Sequence, residues 1–429
     1  MRSINLSSYP PISQLVIAWV LMIPLICFAS YGMPWFWTGG GSDLTARFGS
    51  IASAETGTAE NTAIAILLFT LVPLLVFPWM KSIIRLCRRD KVFAAIAAWS
   101  ILSCLWSQFP LVSLEWAPVA ALNTIFAVYL YRRFSPDQQI RLFLILGWIC
   151  LGLSIALSLL SPAHGVDYAG SWRGMYPQKN MCSMMTAFLL VAALYAPATS
   201  AFSWVFRILY VGLSIFLIVM TQSATGKISL VLLFAYFVVT RCASGLRERE
   251  RGIALVVAMV FASALVVVGF AKAQAISLLL GKDPTLTGRT EIWHAVMPSI
   301  LKHPILGYGY RAFWRGYQGE SANVSLASHW TVPSAHNGFL EIWLTLGAIG
   351  VALVLYSLLR AVRDAFVCLS AGQSPYLAWY ACIVFLTIFT NVDEGELVIP
   401  NSLLWILYIV ACVGLSDGAR RIRLGLDHA

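Results

Sequence analysis

Charge is what this sequence has least of. Only 11% of its 429 residues are Asp, Glu, Lys or Arg, against roughly 25% in a soluble globular protein. That deficit excludes a string of soluble domains, because there are too few polar side chains to coat them. The longest apolar runs hold almost no ionisable group except at their ends, whereas transporters and proton relays place such groups at membrane depth. Paired cysteines are missing too. Cys27, Cys87, Cys104, Cys150, Cys182, Cys242, Cys368, Cys382 and Cys412 are odd in number and lie mostly in apolar runs. No CxxC or Cys/His metal spacing appears, so they read as small hydrophobes and not as a disulfide framework. Internal repeats and low-complexity segments are absent, and the two halves do not resemble each other.

What is there is hydrophobic: 59% of residues, with a mean hydropathy of +0.78. Unbroken runs such as Ile253–Ala271 exclude a transmembrane barrel, whose strands alternate. The expected fold is all-α, a polytopic helical membrane protein forming one integral membrane domain over 1–429. Twelve spans of adequate length are predicted near Leu15–Tyr31, Ala63–Trp79, Val92–Trp106, Trp116–Tyr129, Ile140–Leu160, Ser183–Tyr195, Ile208–Thr221, Ile228–Thr240, Ile253–Ala271, Phe339–Leu358, Tyr376–Thr390 and Ser402–Leu415.

The net charge of +10 would raise nucleic acid as a partner in a soluble protein, but here it is first a topological signal. With a cytoplasmic N-terminus, 19 of the 29 cations fall in inside segments, in clusters such as Lys81–Lys91, Arg241–Arg251 and Arg420–Arg423. The first and last outside loops are acidic, carrying Asp43, Glu55 and Glu60, and Asp393, Glu394 and Glu396. Both termini are therefore expected in the cytoplasm, and the first span is read as retained. No nucleic-acid partner is expected. The outside loop 272–337, between spans nine and ten, is long enough to expect a function. Ile292, Val296 and Ile300, with Trp293, Met297 and Leu301, form an apolar stripe that predicts an amphipathic helix on the outer leaflet.

Three short strings at the outer face carry the polar chemistry. In Ser171-Trp-Arg-Gly-Met-Tyr-Pro-Gln-Lys-Asn180, Arg173 offers a planar fork suited to phosphate, with Lys179 and Asn180 beside it. The plainer alternative is that both cations snorkel to lipid headgroups. In Thr287-Gly-Arg-Thr-Glu-Ile-Trp293, Arg289 falls in a first helical turn, where free N–H groups also favour an anion; an ordinary solvated arginine is the alternative. In Ser334-Ala-His-Asn-Gly-Phe-Leu-Glu341, His336 is placed to act as a general base, or as a structural histidine. His294, His303 and His329 show no metal-site spacing, and no metal or cofactor is expected. Two arginines and a histidine on one face suit a diphosphate leaving group and an activated hydroxyl.

These strings, together with Pro304–Tyr308 and Gly347–Gly350, resemble the signature of the O-antigen ligase and O-antigen polymerase superfamily over about Arg173–Gly350. The resemblance implies a bacterial inner-membrane glycosyltransferase of GT-C-like fold with a periplasmic site. Its donor would be a glycan on undecaprenyl diphosphate. Arg173 and Arg289, supported by Lys179 and Asn180, would bind the diphosphate. His336 would deprotonate or orient the acceptor hydroxyl, Glu341 would orient the imidazole, and transfer would be inverting and metal-independent. A polysaccharide polymerase is favoured over a ligase acting on the lipid A core, on the run Gly307-Tyr-Gly-Tyr-Arg-Ala-Phe-Trp314. The rival from another class is a polysaccharide or lipid transporter; a non-enzymatic envelope scaffold is a further one.

Overall fold

The computed structural model describes residues 11–29, 59–197, 200–254, 289–372 and 374–426. Among these there is no strand, only an isolated antiparallel bridge between Val166 and Trp172. The helices are α1 (Pro11–Ala29), α2 (Ala59–Val76), α3 (Met80–Arg89), α4 (Lys91–Leu102), α5 (Pro110–Arg133), α6 (Pro136–Leu160) and the single turn α7 (Pro162–Gly165). They continue with α8 (Lys179–Tyr195), α9 (Ala201–Met220), α10 (Ala224–Ala243), α11 (Arg289–Lys302), α12 (Ser321–Ser328), α13 (Gly338–Ala371), α14 (Pro375–Asp393) and α15 (Leu403–Arg423). Eight of the described helices are long and apolar enough to cross a membrane, and three shorter ones are apolar. The expected span Ile253–Ala271 lies almost wholly outside the described residues, as do the start of the 272–337 loop and the acids Asp43 and Glu55. All nine cysteines are free thiols, with Cys150, Cys182, Cys368, Cys382 and Cys412 buried.

In hydrocarbon every backbone group must find its partner inside the segment, which is why such runs become helices. Their ends follow local chemistry. Proline opens α5, α6 and α14, where its missing N–H costs nothing. Ser135 and Gln138 form a capping box on α6, and Ser223 and Ser402 cap α10 and α15. The helix α15 is the axis of the bundle. Its residues from Leu403 to Leu415 are all buried, packed against α5, α13 and α14. The Phe93 ring meets Trp405 and Tyr408 edge-on at 5.9 and 6.0 Å.

One membrane helix is broken. Within α13, Gly347 has φ +70 and ψ −172, a conformation that side chains disfavour. A Cβ there would meet the Ile305 carbonyl oxygen at 2.0 Å. The turn Pro304–Tyr310 fills the break and satisfies what it frees. Tyr308 N and Gly309 N donate to Leu344 O and Thr345 O at 2.8 and 3.0 Å, and Ala348 N donates to Pro304 O at 2.9 Å. Three indoles take further carbonyls: Trp99 on Leu346, Trp106 on Leu306 and Trp343 on Pro304, at 2.9–3.0 Å. The two strings Pro304–Tyr308 and Gly347–Gly350 are thus halves of one interlock.

Two expectations change here. The stripe of α11 does not face lipid alone: Ile292, Val296 and Ile300 pack with Tyr308, Phe313, Trp314, Val324 and Leu344 in a second small core. Only its margin, such as Leu301, is exposed. The tenth expected span also runs further, so that α13 carries Arg360, Arg363 and Asp364 beyond the expected end at Leu358.

Candidate functional site

The start of α13, the end of α14 and the starts of α8, α10 and α11 meet at one end of the bundle. One carboxylate draws most of them together. Glu394, immediately after α14, is buried. Its Oε1 accepts from Asn180 Nδ2 at 2.9 Å and from Arg289 Nη2 at 2.7 Å. Its Oε2 lies 3.0 Å from His336 Nδ1. Burial favours the neutral acid, yet the imidazole, the arginine and the amide outweigh it and hold this carboxyl below its usual range. Next to it Asp393 takes the other arm of Arg289 and the Thr225 hydroxyl. Asn180 is fixed from behind, its carbonyl oxygen accepting from Ser223 Oγ at 2.8 Å.

Local sequence explains the placement of His336. Asn337 is the N-cap of α13, accepting from Phe339 N and Leu340 N at 3.0 and 3.1 Å. Its amide nitrogen donates to Val392 O at 3.1 Å, tying α13 to the end of α14. Gly338 allows that approach, since a Cβ there would fall 1.9 Å from Asn391 Oδ1. Asn391 Oδ1 in turn accepts from Glu396 N and Leu397 N, both at 3.2 Å, folding the acidic segment back over the site. His336 itself has φ +45, an uncommon conformation for a side-chain-bearing residue. With Nδ1 engaged by Glu394, Nε2 is the nitrogen left for a substrate.

Of the residues singled out from sequence, the structure brings Asn180, Arg289 and His336 together around Glu394. Arg173 is not joined to that network. It is buried on the hairpin closed by the Val166–Trp172 bridge, and its guanidinium donates to His164 O at 2.8 Å and Ala163 O at 3.4 Å. Burial draws its pKa below the ordinary value, opposed by Asp167. Lys179 contacts Ser171 Oγ at 3.2 Å and Asp167 at 3.9 Å. The expectation that Glu341 orients the imidazole is corrected. Its carboxylate accepts from Trp314 Nε1 at 2.9 and 2.8 Å and from Ala335 N at 3.1 Å, so it fixes the backbone before His336 while Glu394 holds the ring. Asp393 and Glu394 are the residues that sequence reading used only for topology. The available signal was three acids within four residues in a chain that has just 19.

Residues 209–355 match the family model described as O-antigen ligase. Over this stretch the chain is similar to an O-antigen ligase domain. The matched stretch holds Arg289, His336 and the helix break, while Asn180 and Glu394 come from outside it. The chain is similar to the exopolysaccharide production protein ExoQ of Rhizobium meliloti (strain 1021), 28% identical over 193 residues, which is 42% of this chain and 44% of the relative. It is also similar to a candidate polysaccharide ligase, RP358, of Rickettsia prowazekii (strain Madrid E), 32% identical over 88 residues, 20% of this chain and 22% of the relative. The aligned part thus spans less than half the length of either relative. The apolar helices indicate a multi-pass membrane protein, one that is similar to the O-antigen ligase family over residues 209–355.

Proposed function

We propose that this protein is a membrane glycosyltransferase that moves a glycan from undecaprenyl diphosphate to an acceptor hydroxyl at the periplasmic face of the bacterial inner membrane. The observation that carries this reading is the His336–Glu394 pair beside Arg289 at one end of the bundle. A carboxylate on Nδ1 fixes the tautomer that leaves Nε2 basic, and it stabilises the imidazolium formed when the acceptor hydroxyl gives up its proton. The resulting alkoxide-like oxygen attacks the anomeric carbon from the face opposite the diphosphate, the C–O bond to the diphosphate breaks, and configuration inverts. The leaving diphosphate takes up negative charge, and Arg289 neutralises it. The guanidinium has five N–H donors, so its contacts with Asp393 and Glu394 hold it in place with donors to spare. Arg173, with Lys179, adds positive charge toward the lipid side of the donor, and no metal takes part.

The fold of this reading is a twelve-span, GT-C-like bundle with both termini cytoplasmic. Its support is the alternation of ends: the arginine clusters Arg88–Arg89, Arg132–Arg133 and Arg420–Arg423 gather at the end away from His336. Polysaccharide polymerisation is favoured because the longer of the two matches is to an exopolysaccharide production protein. Ligation to the lipid A core is the second reading, favoured by the family description and by the ligase-named relative. The test is purified protein in liposomes, supplied with undecaprenyl diphosphate-linked glycan and each acceptor, with a chelator in one arm. Elongation of the glycan, capping of lipid A core, or neither separates the readings. Full turnover by both Arg289→Ala and His336→Ala would sink the mechanism, and dependence on added divalent cation would sink its metal-independent form.

A further inference from the structure

We propose that Arg311 is a second anion-binding arginine of this site, receiving an oxyanion, phosphate or carboxylate, carried by the acceptor. The inference rests on the transfer reading above and adds a specificity to it. Most cations at this end of the bundle are already engaged: Arg289 by Asp393 and Glu394, Lys302 by Glu320, Lys179 by Asp167 and Ser171, Arg173 by two backbone carbonyls. Arg311 differs. It is half-buried and makes no hydrogen bond or ion pair with any described residue. A guanidinium withdrawn from bulk water with no hydrogen-bond acceptor is costly unless a ligand supplies one.

The backbone presents it deliberately. Arg311 has φ +60 and follows Gly309 at +98, a strained conformation at a residue with a side chain, of the kind that gathers at binding sites. Both neighbours are clamped. Tyr310 is buried and donates its hydroxyl to Val398 O at 2.6 Å and its N–H to Ser103 Oγ at 2.9 Å. The Ala312 carbonyl accepts from Gln108 Nε2 at 2.7 Å. The strain is therefore held by packing on both sides of a residue whose guanidinium makes no hydrogen bond to a described residue.

Its position relative to the base follows from shared contacts. The Glu341 carboxylate accepts from Trp314 Nε1, three residues after Arg311, and from Ala335 N, one residue before His336, and the Arg311 guanidinium lies within its electrostatic reach. Glu341 also lies against Gly395, where an added Cβ would sit 3.6 Å from Glu341 Cβ, and Gly395 follows Glu394 directly. Arg289 approaches Glu394 through Oε1 and His336 through Oε2. The segment that carries His336 is thus reached from one side by Arg289 through Glu394 and from the other through the Glu341 carboxylate beside Arg311. The donor diphosphate belongs with Arg289, so an oxyanion at Arg311 belongs to the molecule whose hydroxyl His336 deprotonates. A planar fork of this kind suits phosphate or carboxylate oxygens in pairs.

The experiment uses the full chain in liposomes at saturating donor. Three acceptors are compared: an isoprenyl diphosphate-linked glycan, a phosphate-free glycan bearing a uronate carboxylate, and a neutral glycan. Arg311→Gln raises KM about tenfold or more for the anionic acceptor, the loss expected for a charge-assisted hydrogen bond, with kcat and the neutral acceptor unchanged. Arg311→Lys recovers part of the loss. Whether the diphosphate or the uronate arm moves identifies the source of the oxyanion. Equal impairment with the neutral acceptor, or an unchanged KM in both anionic arms, overturns the proposal. An independent readout is equilibrium binding of a short-chain isoprenyl diphosphate and of glucuronate. Loss of one of these in Arg311→Gln, with the thermal midpoint retained, supports an oxyanion site even if wild-type protein transfers nothing, the outcome that defeats the transfer reading alone. Retention of both ligands with a lowered midpoint makes Arg311 structural and overturns the proposal.

Discussion

The two ends of the helical bundle use the same ingredients, arginine and carboxylate, to different purpose. At the end where α13 finishes, Arg360 grips Asp90 with both arms, Asp364 carries Arg363 and Arg423, and Asp417 carries Arg89 and the Tyr131 hydroxyl. Every partner there is permanently charged or a phenol, and the carboxylates serve as clamps between helices distant in sequence. At the end where α13 begins, Glu394 divides its two oxygens between an arginine, an amide and an imidazole. One of those partners is an imidazole, a group that can accept and give up a proton. Clamping is enough at the first end; the second has been given a group that can move a proton.

The comparison can be broken first at the base. His336→Ala is expected to lower transfer in liposomes by a factor of about 10³, in the range for loss of general base catalysis, while leaving the fold intact because the imidazole has a single side-chain partner. Removal of a clamp should do the reverse. Arg360→Gln leaves the buried Asp90 uncompensated and is expected to cost about 3 kcal/mol of stability, read as a lowered thermal midpoint with kcat/KM unchanged. Equal loss of activity would erase the distinction between the ends.

The pH dependence sharpens it further. Glu394 is held below the usual carboxyl range in the fold, so its contribution to stability is present above the unfolded value of about 4.3. That contribution is lost as pH falls through the lower folded value. Glu394→Gln is therefore expected to flatten the acid limb of a stability profile below about pH 4.3 and leave the neutral region unchanged in slope. The smallest effect is expected at the exposed clamp. Arg89→Gln, at a pair whose side chains are 38% and 30% exposed, should change stability by about 0.5 kcal/mol or less.

How far the sequence alone reaches can be judged residue by residue. Apolar run length located eleven of the expected spans on described helices, because hydrocarbon leaves the backbone few other options. The sidedness of charge gathered Asn180, Arg289 and His336 on one face, and they do meet. It did not show that Arg173 would spend its guanidinium on the carbonyls of Ala163 and His164, since a hairpin closing on itself is a tertiary event. Nor did it show that Glu394 and not Glu341 holds the imidazole. Glu341 is nearer in sequence, but Ala335 N and Trp314 claim its oxygens, and Glu394 arrives from 58 residues away. The stripe of α11 was legible as apolar, yet periodicity does not say whether lipid or protein covers it; Phe313, Trp314 and Val324 decide that. The glycines told most when read in pairs, Gly338 with Asn391 and Gly347 with the Pro304–Tyr310 turn, and pairing is what a single sequence conceals.

The central claim is that His336 and Glu394 act as one unit, and a double-mutant cycle on kcat/KM in liposomes tests it most directly. If they do, Glu394→Gln lowers the rate, His336→Ala lowers it further, and the double variant is no slower than His336→Ala alone. Losses that multiply in the double variant would mean two independent residues and would contradict the account.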